Sequence, residues 1–121
     1  MREVAELPTF GASGNGGTVA GFLSLKQHSP FAAEVYVMGV RQELHGRGIG
    51  TALLEAAEQR LHELGVEYLQ VKTLGPSRPS RGYGRTRSFY ESRGFRPLEE
   101  LDGIWKDNPC LIMVKRIDVP R

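Results

Sequence analysis

Between Val40 and Thr51 the apolar periodicity of the chain changes from two residues to 3.6 with no linker in between. Upstream, in residues 33–40, Val35, Val37 and Gly39 fall on one side and Tyr36, Met38 and Val40 on the other, as in a strand. Downstream, Leu53, Leu54, Ala57, Leu61 and Leu64 recur on one face while Glu55, Glu58, Gln59, His62 and Glu63 occupy the other, as in a helix. The junction reads His45-Gly46-Arg47-Gly48-Ile49-Gly50. A strand feeding an amphipathic helix through a glycine turn excludes all-helical and all-strand folds. It also directs backbone N–H groups outward at the positive end of a helix dipole, a natural seat for phosphate, to which Arg47 adds a full charge.

Glycine accounts for 15 of the 121 residues, against a usual share of about 7%, and its clusters punctuate the chain. Residues 11–17 separate 3–10 from 18–26, and the two stretches read as a hairpin. A turn over 27–30 leads into the third strand, and the helix from Gly50 ends on Gly65, a left-handed cap. Then follow a strand over 66–73, a loop over 74–84 broken by Pro76 and Pro79, and a short helix over 85–93 capped by Gly94. A weaker strand over 95–98, an irregular stretch over 99–109 and a closing strand over 110–117 complete the chain. Three strands, a helix, a strand, a helix and two strands make a mixed α/β fold, and the length suits a single domain over residues 1–121.

Charge and composition exclude several classes. Sixteen basic residues against 14 acidic give a net +2, too weak a field for general nucleic-acid or membrane binding, so any anion site is local. No apolar run approaches the 18 to 20 or so residues of a membrane span, and residues 1–10 lack the features of a signal peptide, so the mature chain is expected to start here. The lone Cys110 forms no internal disulfide, which fits a cytoplasmic setting, and no metal site is expected.

Two familiar phosphate signatures fail by spacing. The dinucleotide pattern started at Gly46 or Gly48 needs glycine where Thr51 or Leu53 stands, and no Gly-Lys-Ser or Gly-Lys-Thr occurs. What the run does resemble, followed by Ala52-Leu53-Leu54, is the acetyl-coenzyme A signature of the GNAT family of N-acetyltransferases, with His45 in place of the usual Arg or Gln. A second stretch, Ser88-Phe89-Tyr90-Glu91-Ser92-Arg93-Gly94-Phe95, resembles the family's Phe-Tyr-Glu-x-x-Gly-Phe segment in the right order and at the right separation. The resemblance covers about residues 18–117.

The resemblance implies a GNAT-like, mostly antiparallel central sheet with a splayed strand pair and flanking helices. It implies that Met38, Gly39 and Val40 pair their backbone with the pantetheine arm of acetyl-coenzyme A, that Gly39 suits a bend, and that His45, Gly46, Arg47, Gly48, Ile49, Gly50 and Thr51 hold the pyrophosphate. Tyr90 takes the place of the family's tyrosine that protonates the departing thiolate. Glu34, sixteen residues before Gly50, matches the general base of histone-acetylating members. Tyr83 stands where the family often has asparagine. The expected activity is transfer of acetyl from acetyl-coenzyme A to a primary amine of a small molecule or peptide by direct attack in a ternary complex; the alternative is a non-catalytic acyl-coenzyme A-binding or regulatory module.

Other residues carry plainer expectations. His28 and His45 read as solvated loop histidines, His62 lies on the polar helix face, and Cys110 reads as a small buried hydrophobe. Glu99, Glu100 and Asp102 near Trp105 read as a solvated acidic loop, and Arg78, Arg81, Arg85, Arg87 and Arg93 form a basic cluster in which Arg93 is a candidate for the adenosine 3′-phosphate. Family members usually begin with a strand and two helices that wall the acceptor pocket, for which no helical periodicity exists before Gly50. A homodimer is therefore expected, the partner covering the region of residues 1–40 through an open strand edge and exposed apolar surface.

Overall fold

A computed structural model describes residues 10–13, 19–78 and 80–117. The element order is β1 (Phe10–Ser13), β2 (Val19–Gln27), β3 (Ala32–Val40), a 3-10 turn (Gln42–Leu44), α1 (Ile49–Glu63), β4 (Tyr68–Leu74), α2 (Arg81–Ser92), β5 (Arg96–Leu101) and β6 (Cys110–Arg116). The fold is mixed α+β. Two compact units divide the chain, one of the residues up to Leu69 with Ile117, the other of Gln70 to Arg116.

In the first unit β1, β2 and β3 form consecutive antiparallel pairs. Helix α1 packs on them through Leu53, Leu54, Ala57 and Leu61, all buried with Leu23, Leu25, Ala33 and Val35 of the strands. Leu64, expected on that face, is instead the C-cap residue and 42% exposed. Beyond it Gly65 at φ 80° donates to His62 O (3.0 Å) and Val66 to Leu61 O (2.9 Å), the paired bonds that close a helix on a left-handed glycine. Leu61 and Val66 are both buried, so the cap also seals the core.

Strand β3 breaks its expected alternation. The register shifts by one between Ser24 and Leu25, so that Ser24 faces Val37, Leu25 faces Val35, and Tyr36 is the extra residue of a bulge. Ala33, Glu34 and Val35 are buried in succession, after which Tyr36 (61% exposed) and Val37 both open to solvent. The register shift lies at Tyr36, whereas Gly39 pairs with Phe22 in regular register, and a Cβ there would lie 2.9 Å from the ring of that cross-strand partner. The first strand also differs from expectation. Phe10–Ser13 pairs with β2 where a glycine turn is expected to begin at Gly11, while residues 3–9 of the strand expected over 3–10 lie outside the described residues.

In the second unit the strand order is β4, β6, β5, with β5 and β6 antiparallel. Its buried set is Val71, Thr73, Leu74, Tyr90, Phe95, Cys110, Leu111 and Met113, and Cys110 is fully buried as expected. Helix α2 starts four residues before the expected Arg85 and β5 runs three beyond the expected end at Leu98. Gly82 and Gly84 disfavour a helix by about 1 kcal/mol each relative to Ala, but the Ser80 hydroxyl accepts a hydrogen bond from the Tyr83 amide and offsets part of that cost.

Candidate functional site

The glycine turn of the first unit is built by two left-handed residues. Gly46 and Gly48 hold φ of 82° and 79° on either side of Arg47, and nothing lies within 4 Å of where their Cβ atoms would be. Only glycine takes such φ values without a penalty of roughly 1–2 kcal/mol, which is why the sequence spaces the two around a single residue. The turn is anchored at its entry. Arg41 N donates to Ala20 O (2.9 Å), Leu44 N to Arg41 O (2.9 Å), and His45 Nε2 to the Val40 carbonyl (2.9 Å). His45, exposed as expected of a loop histidine, thus also fastens the turn back onto the end of β3. Gly21 makes room at the base: a Cβ there would stand 2.9 Å from Gly39 O and 3.2 Å from Ile49 Cγ2, so the strand lets the start of α1 close on it.

Helix α1 begins on Gly48. Its first internal bond runs from Ala52 N to Gly48 O (2.9 Å), which leaves the amides of Ile49, Gly50 and Thr51 without an intrahelical acceptor. No side chain among the described residues caps this end, and its first turn holds no acid. Gly46, Arg47 and Gly48 are exposed. The turn therefore offers free donors, a dipole and a guanidinium to one anionic group. Met38, Gly39 and Val40 close β3 just before it, paired with Leu23, Phe22 and Gly21 and half-buried.

Glu34 belongs to the same unit. Its carboxylate is buried, and Oε1 lies 2.6 Å from Nε2 of His28. The pairing was not legible in the chain, because it depends on a turn that brings residues six apart together across a strand end.

Tyr90 belongs to the second unit and is 7% exposed. The Phe-Tyr-Glu-x-x-Gly-Phe segment turns out to be a helix terminator as well as a signature. Gly94, at φ 98°, donates to Glu91 O (3.1 Å), and Phe95 N donates to Tyr90 O (3.0 Å). This 6→1 bond sets Tyr90 and Phe95 against each other edge-on, with ring centroids 5.3 Å apart, and Phe89 adds a second ring at 5.5 Å. Burial raises the Tyr90 pKa above its ordinary value, so its phenol keeps its proton through the neutral range.

The second unit also contains an open hollow of about 660 Å³ lined by Leu74, Arg78, Ser80, Tyr83, Trp105 and Asn108. Its residues come from four segments, and the sequence singled out only some of them. The loop over 74–78 that rims it is tied down: Gly75 N donates to Pro109 O (3.0 Å), Ser77 N to Glu100 (3.2 Å), and Arg87 to Leu74 O (2.7 Å). The Glu100 carboxylate packs so closely on Gly75 that a Cβ would meet it, so Glu100, exposed as expected, also clamps the loop. Arg78 donates to Asn108 Oδ1 and, at 3.5 Å, to Asp107 O. Arg93 ends α2 and has a buried Nε without a partner among the described residues.

Known proteins resemble this chain in sequence and in fold. The sequence model described as "Acetyltransferase (GNAT) domain" matches residues 7–97. A mycothiol acetyltransferase of Corynebacterium aurimucosum is 36% identical over 86 residues, which cover 69% of this chain and 26% of that protein. The chain thus spans about a quarter of the length of this curated relative. Among solved structures, a GNAT-family protein of Desulfovibrio desulfuricans superposes with a TM-score of 0.80 at 22% identity, covering 91% of this chain and 68% of that one. An aminoglycoside 6′-N-acetyltransferase complexed with coenzyme A gives 0.75 at 21% identity, covering 93% and 73%. These two show the fold. The chain belongs to the GNAT family of acetyltransferases.

Among the described residues no helix is long and apolar enough to cross a membrane.

Proposed function

We propose that the chain transfers the acetyl group of acetyl-coenzyme A to a primary amine by direct attack in a ternary complex. The observation that carries this reading is the start of α1, with Gly48 left-handed, no side-chain cap among the described residues and no acid in the first turn. A capping side chain there is ordinarily worth about 1 kcal/mol. Forgoing it leaves the amides of residues 49–51 free for the cofactor's pyrophosphate, with Arg47 beside them. In this reading Met38, Gly39 and Val40 run along the pantetheine arm and His45 to Thr51 surround the phosphates.

The chemistry needs a base for the amine and an acid for the sulfur. As the amine nitrogen bonds to the thioester carbon, the C–S bond breaks, Glu34 takes the amine's proton and Tyr90 gives one to the thiolate. The raised Tyr90 pKa keeps that proton in place at neutral pH, to be released as charge builds on sulfur.

The acceptor is tested by thiol release from acetyl-coenzyme A with polyamines, amino acids, aminoglycosides and peptides. The curated relatives add a mycothiol-type acceptor to that panel. Acceptor-dependent release with at least one class is expected; calorimetric binding of the cofactor with no release by any of them favours the non-catalytic module. The reading includes a homodimer whose second copy covers the β2–β3 surface, where Phe22, Tyr36 and Val37 are exposed. Sedimentation at micromolar concentration distinguishes that dimer from a monomer.

A further inference from the structure

We propose that His28 is the solvent end of a two-residue proton path that starts at Glu34. The inference rests on the acetyl-transfer reading with Glu34 as base, and it adds the residue through which that base is cleared. Within the first unit the Glu34 side chain is 5% exposed and the His28 side chain 38%, with Oε1 and Nε2 2.6 Å apart. A carboxylate this buried exchanges protons poorly with bulk water on its own, whereas an imidazole in contact with both the carboxylate and solvent bridges the two.

The turn between β2 and β3 is built to hold the ring there. His28 N donates to Ala32 O (2.9 Å), and the Ser29 hydroxyl accepts from Phe31 N (3.2 Å) and Ala32 N (3.1 Å). Gln27 Nε2 donates to Ser29 O (3.0 Å). These bonds fix the backbone of His28 relative to a strand whose register sets Glu34 opposite Lys26. Other charged and titratable groups around the turn include Lys26 and Tyr36, with the Lys26 ammonium 5.0 Å from the Tyr36 ring centroid, and Glu67 and Tyr68, whose backbone amides bond Phe31 O at 2.8 and 2.9 Å.

The proton balance is simple. An acceptor arriving as an ammonium loses two N–H protons in turn to the Glu34 carboxylate, one before attack and one as the C–S bond breaks. Each passes from the carboxylic acid to the imidazole and on to water at its exposed side, and Tyr90 regains from water the proton it gave the thiolate. The carboxylate is regenerated for the next turnover. His28 acts through Glu34 and is a positioning residue that also carries charge.

The test compares wild type, Glu34→Gln, His28→Gln and His28→Ala, using whichever of spermidine, kanamycin and an alanyl peptide wild type turns over fastest. His28→Gln keeps a hydrogen-bonding nitrogen near Glu34 but does not titrate. It is expected to lower kcat about 10²-fold with acceptor KM and Tm unchanged, to move the acidic limb of the pH profile, and to leave His28→Ala partly rescued by added imidazole. Separately, the titration midpoint of His28 followed by NMR is expected to move in Glu34→Gln. His28→Gln working at the wild-type rate with the wild-type pH profile overturns the proposal while the acetyl-transfer reading stands. A His28 titration unmoved by Glu34→Gln overturns it too. A wild-type protein that releases no thiol with any acceptor brings down the acetyl-transfer reading and this proposal with it.

Discussion

Helix α1 starts on Gly48, left-handed at φ 79°, with no capping side chain among the described residues and no acid in its first turn. Helix α2 starts on Ser80, in extended conformation, and its hydroxyl accepts from the Tyr83 amide. Both ends have the same orphan amides and the same positive dipole. The second satisfies one internally, and its flank buries Tyr90; the first has no side-chain cap among the described residues, and in the proposed reading its donors go to the cofactor. In that reading the two helices divide between binding and stability, and the difference lies in one residue at each start.

The sharpest way to break this comparison is to charge the open end. Gly48→Asp and Gly48→Asn carry side chains of the same size, and both Asp and Asn tolerate the left-handed region better than other non-glycine residues. Only Asp repels a phosphate, by about 3 kcal/mol at 5 Å and an effective dielectric of 20. Calorimetry is expected to show acetyl-coenzyme A affinity falling by at least about 10² for Asp and only a few-fold for Asn. Equal, small losses in two folded variants would remove the anion role of this turn.

The flank of α2 is tested by Tyr90→Phe, with an expected fall in kcat of about 10² to 10⁴ and cofactor affinity nearly unchanged. The same variant has a signature in stability. Because burial raises the Tyr90 pKa, the folded state resists ionisation that the unfolded chain undergoes from about pH 10. Stability is unaffected by this group below that pH and falls as pH rises through the folded value, so Tyr90→Phe is expected to flatten the alkaline decline in chemical denaturation.

The smallest effect belongs to the closed end. Ser80→Ala is expected to cost about 1 kcal/mol in denaturant unfolding and to leave cofactor affinity alone. A large loss of affinity from Ser80→Ala would mean that α2 also uses its start for binding, and the contrast between the two helices would fail.

Much of this protein was legible from consecutive residues. The glycine turn, the strand and helix on either side of it, the glycine caps at Gly65 and Gly94 and the buried Cys110 all follow from bonds or patterns that close within a few positions. Even the Tyr90 segment is largely local, since its glycine cap sets Phe95 against Tyr90 within six residues. What only the tertiary structure decided depends on partners brought in from other strands and loops. The bulge at Tyr36 arises because β2 and β3 pair with one residue to spare, and it exposes Val37 against its alternation. Glu100 became a clamp because the loop over 74–77 lies against it. The buried Glu34 carboxylate found His28 because a fastened turn set an imidazole at the end of its strand. Burial and register are properties of the pair of segments that meet, so neither segment's sequence alone contains them.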